Sequence, residues 1–172
     1  MGEKRNVDWV KLIRARSITP RHTFICSVLI QHRLPTKLRL SKHITQNKMT
    51  CSLCNNADED ETHLFFECPY AKEVYEKLNK WWPITPIAHT SQNLGTQLLK
   101  TKGTKGENLT TCAIVSAAIY LLWSARNHVI FNNTDILAKH TVSQTKEEVR
   151  HRILHLNTMA RKYINCIDRI LH

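Results

Sequence analysis

Four residues constrain this chain more than any others: Cys51, Cys54, His63 and Cys68, spaced Cys-x2-Cys-x8-His-x4-Cys. Zn²⁺ takes four soft or borderline donors in a tetrahedral shell, and thiolate and imidazole are its usual ligands. Two cysteines separated by two residues can turn back onto one ion. A His and a Cys five positions apart can supply the other pair from a short helical or turned segment. Three thiolates and one imidazole fill the shell, so no position remains for a water or a substrate, and the expected role is structural. An ion held this way contributes on the order of 10 kcal/mol, comparable to the stability of a whole domain. The competing reading is a chance pair of cysteines beside a histidine packed in the core, since Leu64-Phe65-Phe66 follow His63 directly.

The compartment bears on that choice. The chain opens Met1-Gly2-Glu3-Lys4-Arg5 and reaches its first apolar run, Phe24 to Ile30, only after many charges. No small-residue cleavage site follows, so the pattern is not that of a secretory signal. A nuclear or cytoplasmic protein is expected, not a secreted one. In a reducing compartment clustered Cys and His read as metal binding rather than as disulfides. Cys26, Cys112 and Cys166 stand in apolar helical contexts and read as small buried hydrophobes.

Charge points to the partner. The net charge of the 172 residues is +11, with pI about 9.6. A balance this basic favours a polyanion, with nucleic acid, RNA or DNA, ahead of a membrane surface. The charge is uneven. Residues 1–50 hold eleven Lys and Arg against Glu3 and Asp8, whereas residues 51–68 hold five acids and no base. The expected nucleic-acid contacts are therefore Arg14, Arg16, Arg21, Arg33, Lys37, Arg39 and Lys42. Phe65 or Phe66 could stack a base, but a core role suits them better.

Periodicity gives the fold class: mostly α, a small helical domain around a CCHC zinc knuckle, with a long C-terminal amphipathic helix. Val7 to Arg16 reads as a short basic helix carrying Trp9, Leu12 and Ile13. A second helix is expected from about Pro20 to His32, with Phe24, Ile25, Val28 and Leu29 toward the core. Pro69 can open a third, with Val74, Leu78 and Trp81 as its stripe, closed at Trp82-Pro83. Residues 83–107 contain Pro83, Pro86, Gly95, Gly103 and Gly106 and read as a flexible linker. A long apolar helix is expected from about Leu109 to Phe131, with no charged residue from Asn108 to Ala125, stopping at Asn132-Asn133. Its dense part, Cys112 to Trp123, is short for a bilayer span. The organisation expected is basic helices plus knuckle over 7–82, the linker over 83–107, and two helices over 108–172, with the two helical parts forming one folded unit.

The last segment repeats Val149, Ile153, Leu156, Ala160, Tyr163, Ile167 and Ile170 at steps of four and three, a heptad seam. Such a stripe either packs on the chain's own core or offers Val149, Ile153, Leu156, Tyr163, Ile167 and Ile170 to a protein partner or a second copy.

Catalysis is not expected. A polymerase or nuclease needs two or more carboxylates on Mg²⁺, and the one acidic cluster, Asp58-Glu59-Asp60-Glu61, lies inside the knuckle loop and reads as solvated. No Gly-rich phosphate loop and no Gly-x-Ser-x-Gly is present.

The text around the ligands carries a resemblance. It reads Cys51-Ser52-Leu53-Cys54, then Glu61-Thr62-His63-Leu64-Phe65-Phe66-Glu67-Cys68-Pro69. Ile18, Pro20, Arg21, Phe24 and Arg33-Leu34-Pro35-Thr36 stand upstream; Val74-Tyr75, Trp123, Arg126, Asn127 and Phe131 stand downstream. This resembles the zinc-binding domain near the C-terminus of plant LINE-type (non-LTR) retrotransposon reverse transcriptases, from about Trp9 to Phe131, with residues 83–108 unmatched. The family often has Trp where this chain has Tyr75 and Tyr120. The resemblance implies structural zinc and a role in handling RNA or target DNA, here without the polymerase domain, as in a freestanding or domesticated fragment.

Overall fold

The computed structural model describes residues 17–41, 49–83, 94 and 104–157. The expected helix over 7–16, with Arg14 and Arg16, lies outside the described residues, as do Lys42, most of the 83–107 linker, and Ala160, Tyr163, Cys166, Ile167 and Ile170. Five α-helices make up the described fold: α1 (Pro20–Ile30), α2 (Lys37–Leu40), α3 (Pro69–Trp81), α4 (Lys105–Asn132) and α5 (Ala138–Asn157). A π-helical turn, His63–Glu67, precedes α3. The described residues contain no strand, only an isolated antiparallel bridge between Thr50 and Asp58.

Helix α4 is the axis. From Thr110 to Ala125 nearly every residue is buried, and a helix apolar on all sides must be surrounded. Its start is set by a capping box: the Thr104 side chain accepts from the Glu107 amide, and the Glu107 carboxylate accepts from the Thr104 amide at 2.9 Å. This places the helix start inside the segment expected to be linker. Its end is set by Asn133, which takes the left-handed conformation with φ 50°, a geometry Asn tolerates at a helix terminus. The helix is long and apolar enough to cross a membrane by length and composition. Of that apolar window, 78% is buried within the chain itself.

Helices α1, α3 and α5 cover this axis. Helix α1 runs antiparallel to α4, since His22 meets Tyr120 and the Cys26 sulfur meets the Ser116 carbonyl. The face that goes in is His22, Cys26 and Leu29. Phe24, expected in the core, is 66% exposed, because a position two residues from His22 and Cys26 points to the far side of a 3.6-residue helix. Helix α3 buries Ala71, Val74, Tyr75 and Leu78. Val74 and Leu78 are buried as expected, but the last member of the stripe differs. Trp82 enters the core and donates Nε1–H to the Thr111 hydroxyl at 3.0 Å, while Trp81 sits half-buried on the flank against α5. Burial pushes the thiols of Cys26 and Cys112 up to about 12, so both are inert packing groups.

Helix α5 folds back on α4 after the 133–137 loop and buries Ala138, Thr141, Val142, Thr145, Val149, Ile153 and Leu156. The described part of the heptad seam thus packs on the chain's own core. Val149, Ile153 and Leu156 are not available to a partner, which corrects their assignment to an interaction seam. Polar links fix the helix in place: Tyr70 Oη lies 2.7 Å from Thr141 Oγ1, and Glu148 meets both Arg21 and His22 of α1 at 2.7 Å.

Replacing Thr104 with Ala removes the N-cap of the axial helix. The expected loss is about 1 kcal/mol of stability, measured by urea unfolding, with no change in zinc content.

Candidate metal centre

The knuckle is built by backbone turns around four donors. The bridge between Thr50 and Asp58 closes the loop, the Cys51 amide donates to Ala57 O at 2.7 Å, and the Asn55 amide donates to Cys51 O at 2.8 Å. Asn55 takes φ 54°, a left-handed geometry that Asn accepts more readily than most residues. These turns bring Cys51 and Cys54 together. The second pair needs a different device. In an α-helix, residues five apart lie about 140° apart around the axis, too far round to share an ion. The chain solves this with the π-helical turn, in which the Cys68 amide donates to His63 O at 2.7 Å across five residues. Asp60 supports the turn by accepting from the His63 amide at 2.7 Å.

The four donor atoms lie within 4.8 Å of one another. Cys51 Sγ and Cys68 Sγ are 3.9 Å apart, and Cys54 Sγ is 3.3 Å from His63 Nε2. A tetrahedron with ordinary Zn–S and Zn–N bonds has edges of about 3.8 Å and about 3.6 Å for these pairs. The donor set and its spacing fit Zn²⁺, and the shell is complete. Before an ion binds, the Cys51 thiol is pulled down to about 5 by its hydrogen bond with Cys68, assisted by the amides of Leu53 and Cys54. Cys68 moves the other way, raised by the same hydrogen bond and by burial. Its sulfur also faces the amides of Tyr70 and Ala71 at the start of α3, where a thiolate is favoured. With zinc bound, Cys68 is ligand and N-cap residue of α3 at once.

The family comparison agrees with this geometry. Residues 1–75 match the family described as zinc-binding in reverse transcriptase. The match includes all four ligands and covers less than half of the chain. No curated protein and no solved structure matches it. Cys51, Cys54, His63 and Cys68 therefore form a structural zinc site in a helical chain whose first part is similar to that family.

The acidic residues of the loop are not the solvated run that the sequence suggested. Glu59 is fully buried. Its Oε1 accepts from Arg126 Nε at 3.0 Å and Nη2 at 2.6 Å and from the Lys37 amide at 3.1 Å, and its Oε2 accepts from the Ser52 amide at 3.3 Å. Glu61 accepts from the Leu34 amide at 3.0 Å and contacts His32 Nδ1 at 2.9 Å. Asp58 alone of the four is exposed. Arg126 also donates to Pro35 O at 3.3 Å and lies 4.7 Å over the Trp123 ring, which stacks on Phe65. One guanidinium thus joins the zinc loop, the Arg33-Leu34-Pro35-Thr36 segment and the axial helix. Sequence reasoning missed this pair. The signal it could have used was a lone arginine at the end of a buried apolar stretch, where an unpaired charge is not tolerated.

Of the basic residues expected to bind nucleic acid, Arg21 is on α1 and paired with Glu148. Lys37 Nζ donates to Thr50 O at 2.7 Å, and Arg39 donates to His32 O. Arg33 is exposed in the loop between α1 and α2. Phe65 and Phe66 are buried beside the zinc site.

Two outcomes are expected. Stripping zinc with a chelator abolishes the cooperative helical signal in circular dichroism; a chelated protein that keeps its helicity contradicts a structural role for the ion. Arg126→Met leaves the Glu59 carboxylate buried and unpaired and costs about 3–5 kcal/mol, while Arg126→Met with Glu59→Gln costs clearly less than the two single changes added together, as read by a double-mutant cycle.

Proposed function

We propose that this chain is a non-catalytic nucleic-acid-binding module whose fold is held by zinc, related to the zinc-binding part of a retrotransposon reverse transcriptase of the plant LINE type. The observation that carries it is the direction of its charges. Three of the five acids of the knuckle turn inward, Glu59 onto Arg126 and two amides, Asp60 onto the His63 amide, and Glu61 onto the Leu34 amide, while Asp58 and Glu67 stay exposed. With these acids already counted, the chain keeps an excess of Lys and Arg and a net charge of +11. A polyphosphate gains from such an excess by releasing counterions. The match to a family described as zinc-binding in reverse transcriptase supports the same class of partner.

Of the carboxylate cluster that a metal-dependent nuclease would need, Glu59, Asp60 and Glu61 are committed to backbone amides and one guanidinium, which favours the non-catalytic reading. The alternative, assembly through the C-terminal heptad helix, keeps only Tyr163, Ile167 and Ile170 as candidate contacts, since Val149, Ile153 and Leu156 are inside the core.

In a mobility-shift titration of the zinc-loaded chain with single-stranded and duplex RNA and DNA, log K is expected to fall linearly with log salt. The slope on a single strand is about −0.7 per phosphate neutralised. Absence of binding at the lowest salt concentration contradicts the proposal.

A further inference from the structure

The four zinc ligands do not stand alike toward solvent. Cys51 and Cys68 have no exposure, and His63 is buried. Cys54 alone of the four is partly exposed. It lines an open cleft of about 470 Å³ between the knuckle loop and the start of α3. Leu53, Asn55 and Asn56 belong to the loop side of this cleft, and Pro69, Tyr70 and Glu73 to the helix side. A small solute can therefore reach one sulfur of the metal centre while the other two stay covered.

Access matters because a metal keeps its cysteine ligands as thiolates at neutral pH. Susceptibility to oxidation follows thiolate character and exposure together, and it is greatest where a second thiol stands ready to close a disulfide. Cys26 and Cys112 meet neither condition, being buried with their thiols pushed up to about 12. Cys54 meets both. The four donor atoms lie within 4.8 Å of one another, so Cys51 Sγ is within that distance of Cys54 Sγ. The two residues share one tight turn, closed by the Asn55 amide on Cys51 O at 2.8 Å. A disulfide holds its sulfurs at about 2.05 Å, far closer than two ligands of one tetrahedral ion.

We propose that Cys54 is an oxidation site through which a peroxide opens the zinc clamp, with Cys51 as the resolving thiolate. In the first step the Cys54 thiolate attacks one peroxide oxygen. The S–O bond forms, the O–O bond breaks, and hydroxide leaves, so Cys54 becomes a sulfenic acid. In the second step the Cys51 thiolate attacks the Cys54 sulfur, forms the S–S bond and expels a second hydroxide. The two thiolates together give up two electrons, and the peroxide takes both. The disulfide consumes two of the four donors. His63 and Cys68 cannot complete a tetrahedral shell by themselves, and the ion is released. A thiol reductant returns both thiolates, and added zinc rebuilds the clamp. The inference rests on the metal site and is independent of what the chain binds.

The test uses the full zinc-loaded chain and hydrogen peroxide. Dimedone traps sulfenic acid, tandem mass spectrometry places the adduct, and a chromogenic chelator follows zinc release. The earliest adduct is expected on Cys54, with Cys51 and Cys68 unlabelled. Without dimedone, a Cys51–Cys54 disulfide should accumulate in step with loss of zinc and of the helical signal in circular dichroism. Dithiothreitol with added zinc should restore the helicity. Urea below the unfolding transition separates reaction through the cleft from reaction through an opened chain. The rate of Cys54 labelling should stay constant there, and a rate that climbs with urea overturns the role of the cleft. A first adduct on Cys51 or Cys68 overturns the proposal. So does oxidation confined to Cys166, or zinc that stays bound after Cys54 is oxidised. A disulfide from Cys54 to Cys68 overturns the role given to Cys51.

Discussion

The buried carboxylate of Glu59 is the point on which the rest of this fold depends. A carboxylate with no solvent exposure is tolerated only when its charge is matched and its oxygens are bonded. Here Arg126 supplies the charge, and the amides of Lys37 and Ser52 supply further bonds. The three donors come from the axial helix, the start of α2 and the knuckle loop. None of the three can move without leaving a charge or an amide unsatisfied.

Zinc and this ion pair act on the same loop from opposite ends. The ion fixes Cys51 and Cys54 against His63 and Cys68, which sets the path of residues 55–62 and so aims Glu59 at Arg126. In the other direction, Arg126 is held by Pro35 O and the Trp123 ring, and Trp123 stacks on Phe65 within the π-helical turn that carries His63. The metal site is therefore a clamp in three dimensions. It fastens the segment after α1 to the helix beginning at Pro69 and fastens both to α4. Its own shell is closed, and Glu59, Asp60 and Glu61 are bonded within the fold, so its part is to hold the segments on either side of it in place.

Much of this was legible in the residues. The ligand spacing announced the metal, Pro69 the start of α3, and Asn132-Asn133 the end of α4, because each rests on local geometry that few residue types allow. What was not legible depended on facing. Phe24 has the hydrophobicity of a core residue but sits on the wrong side of α1, and Trp81 and Trp82 exchange the roles that a simple stripe assigns them. The acidic run inside the knuckle looked solvated because its partner, Arg126, is 67 residues away from Glu59 in sequence. The seam of α5 was equally compatible with a partner helix and with the core; only the packing of Val149, Ile153 and Leu156 decides between them.

The central claim is that the zinc loop and the axial helix are one cooperative unit joined through Glu59 and Arg126. Amide hydrogen exchange of α4 in the zinc-loaded and zinc-stripped chain tests it most directly. The account expects that removing zinc strips protection from the amides around Trp123 to Asn127 together with those of the knuckle, since both belong to the same opening unit. Protection of that stretch of α4 that stays unchanged while the knuckle amides exchange freely would contradict it.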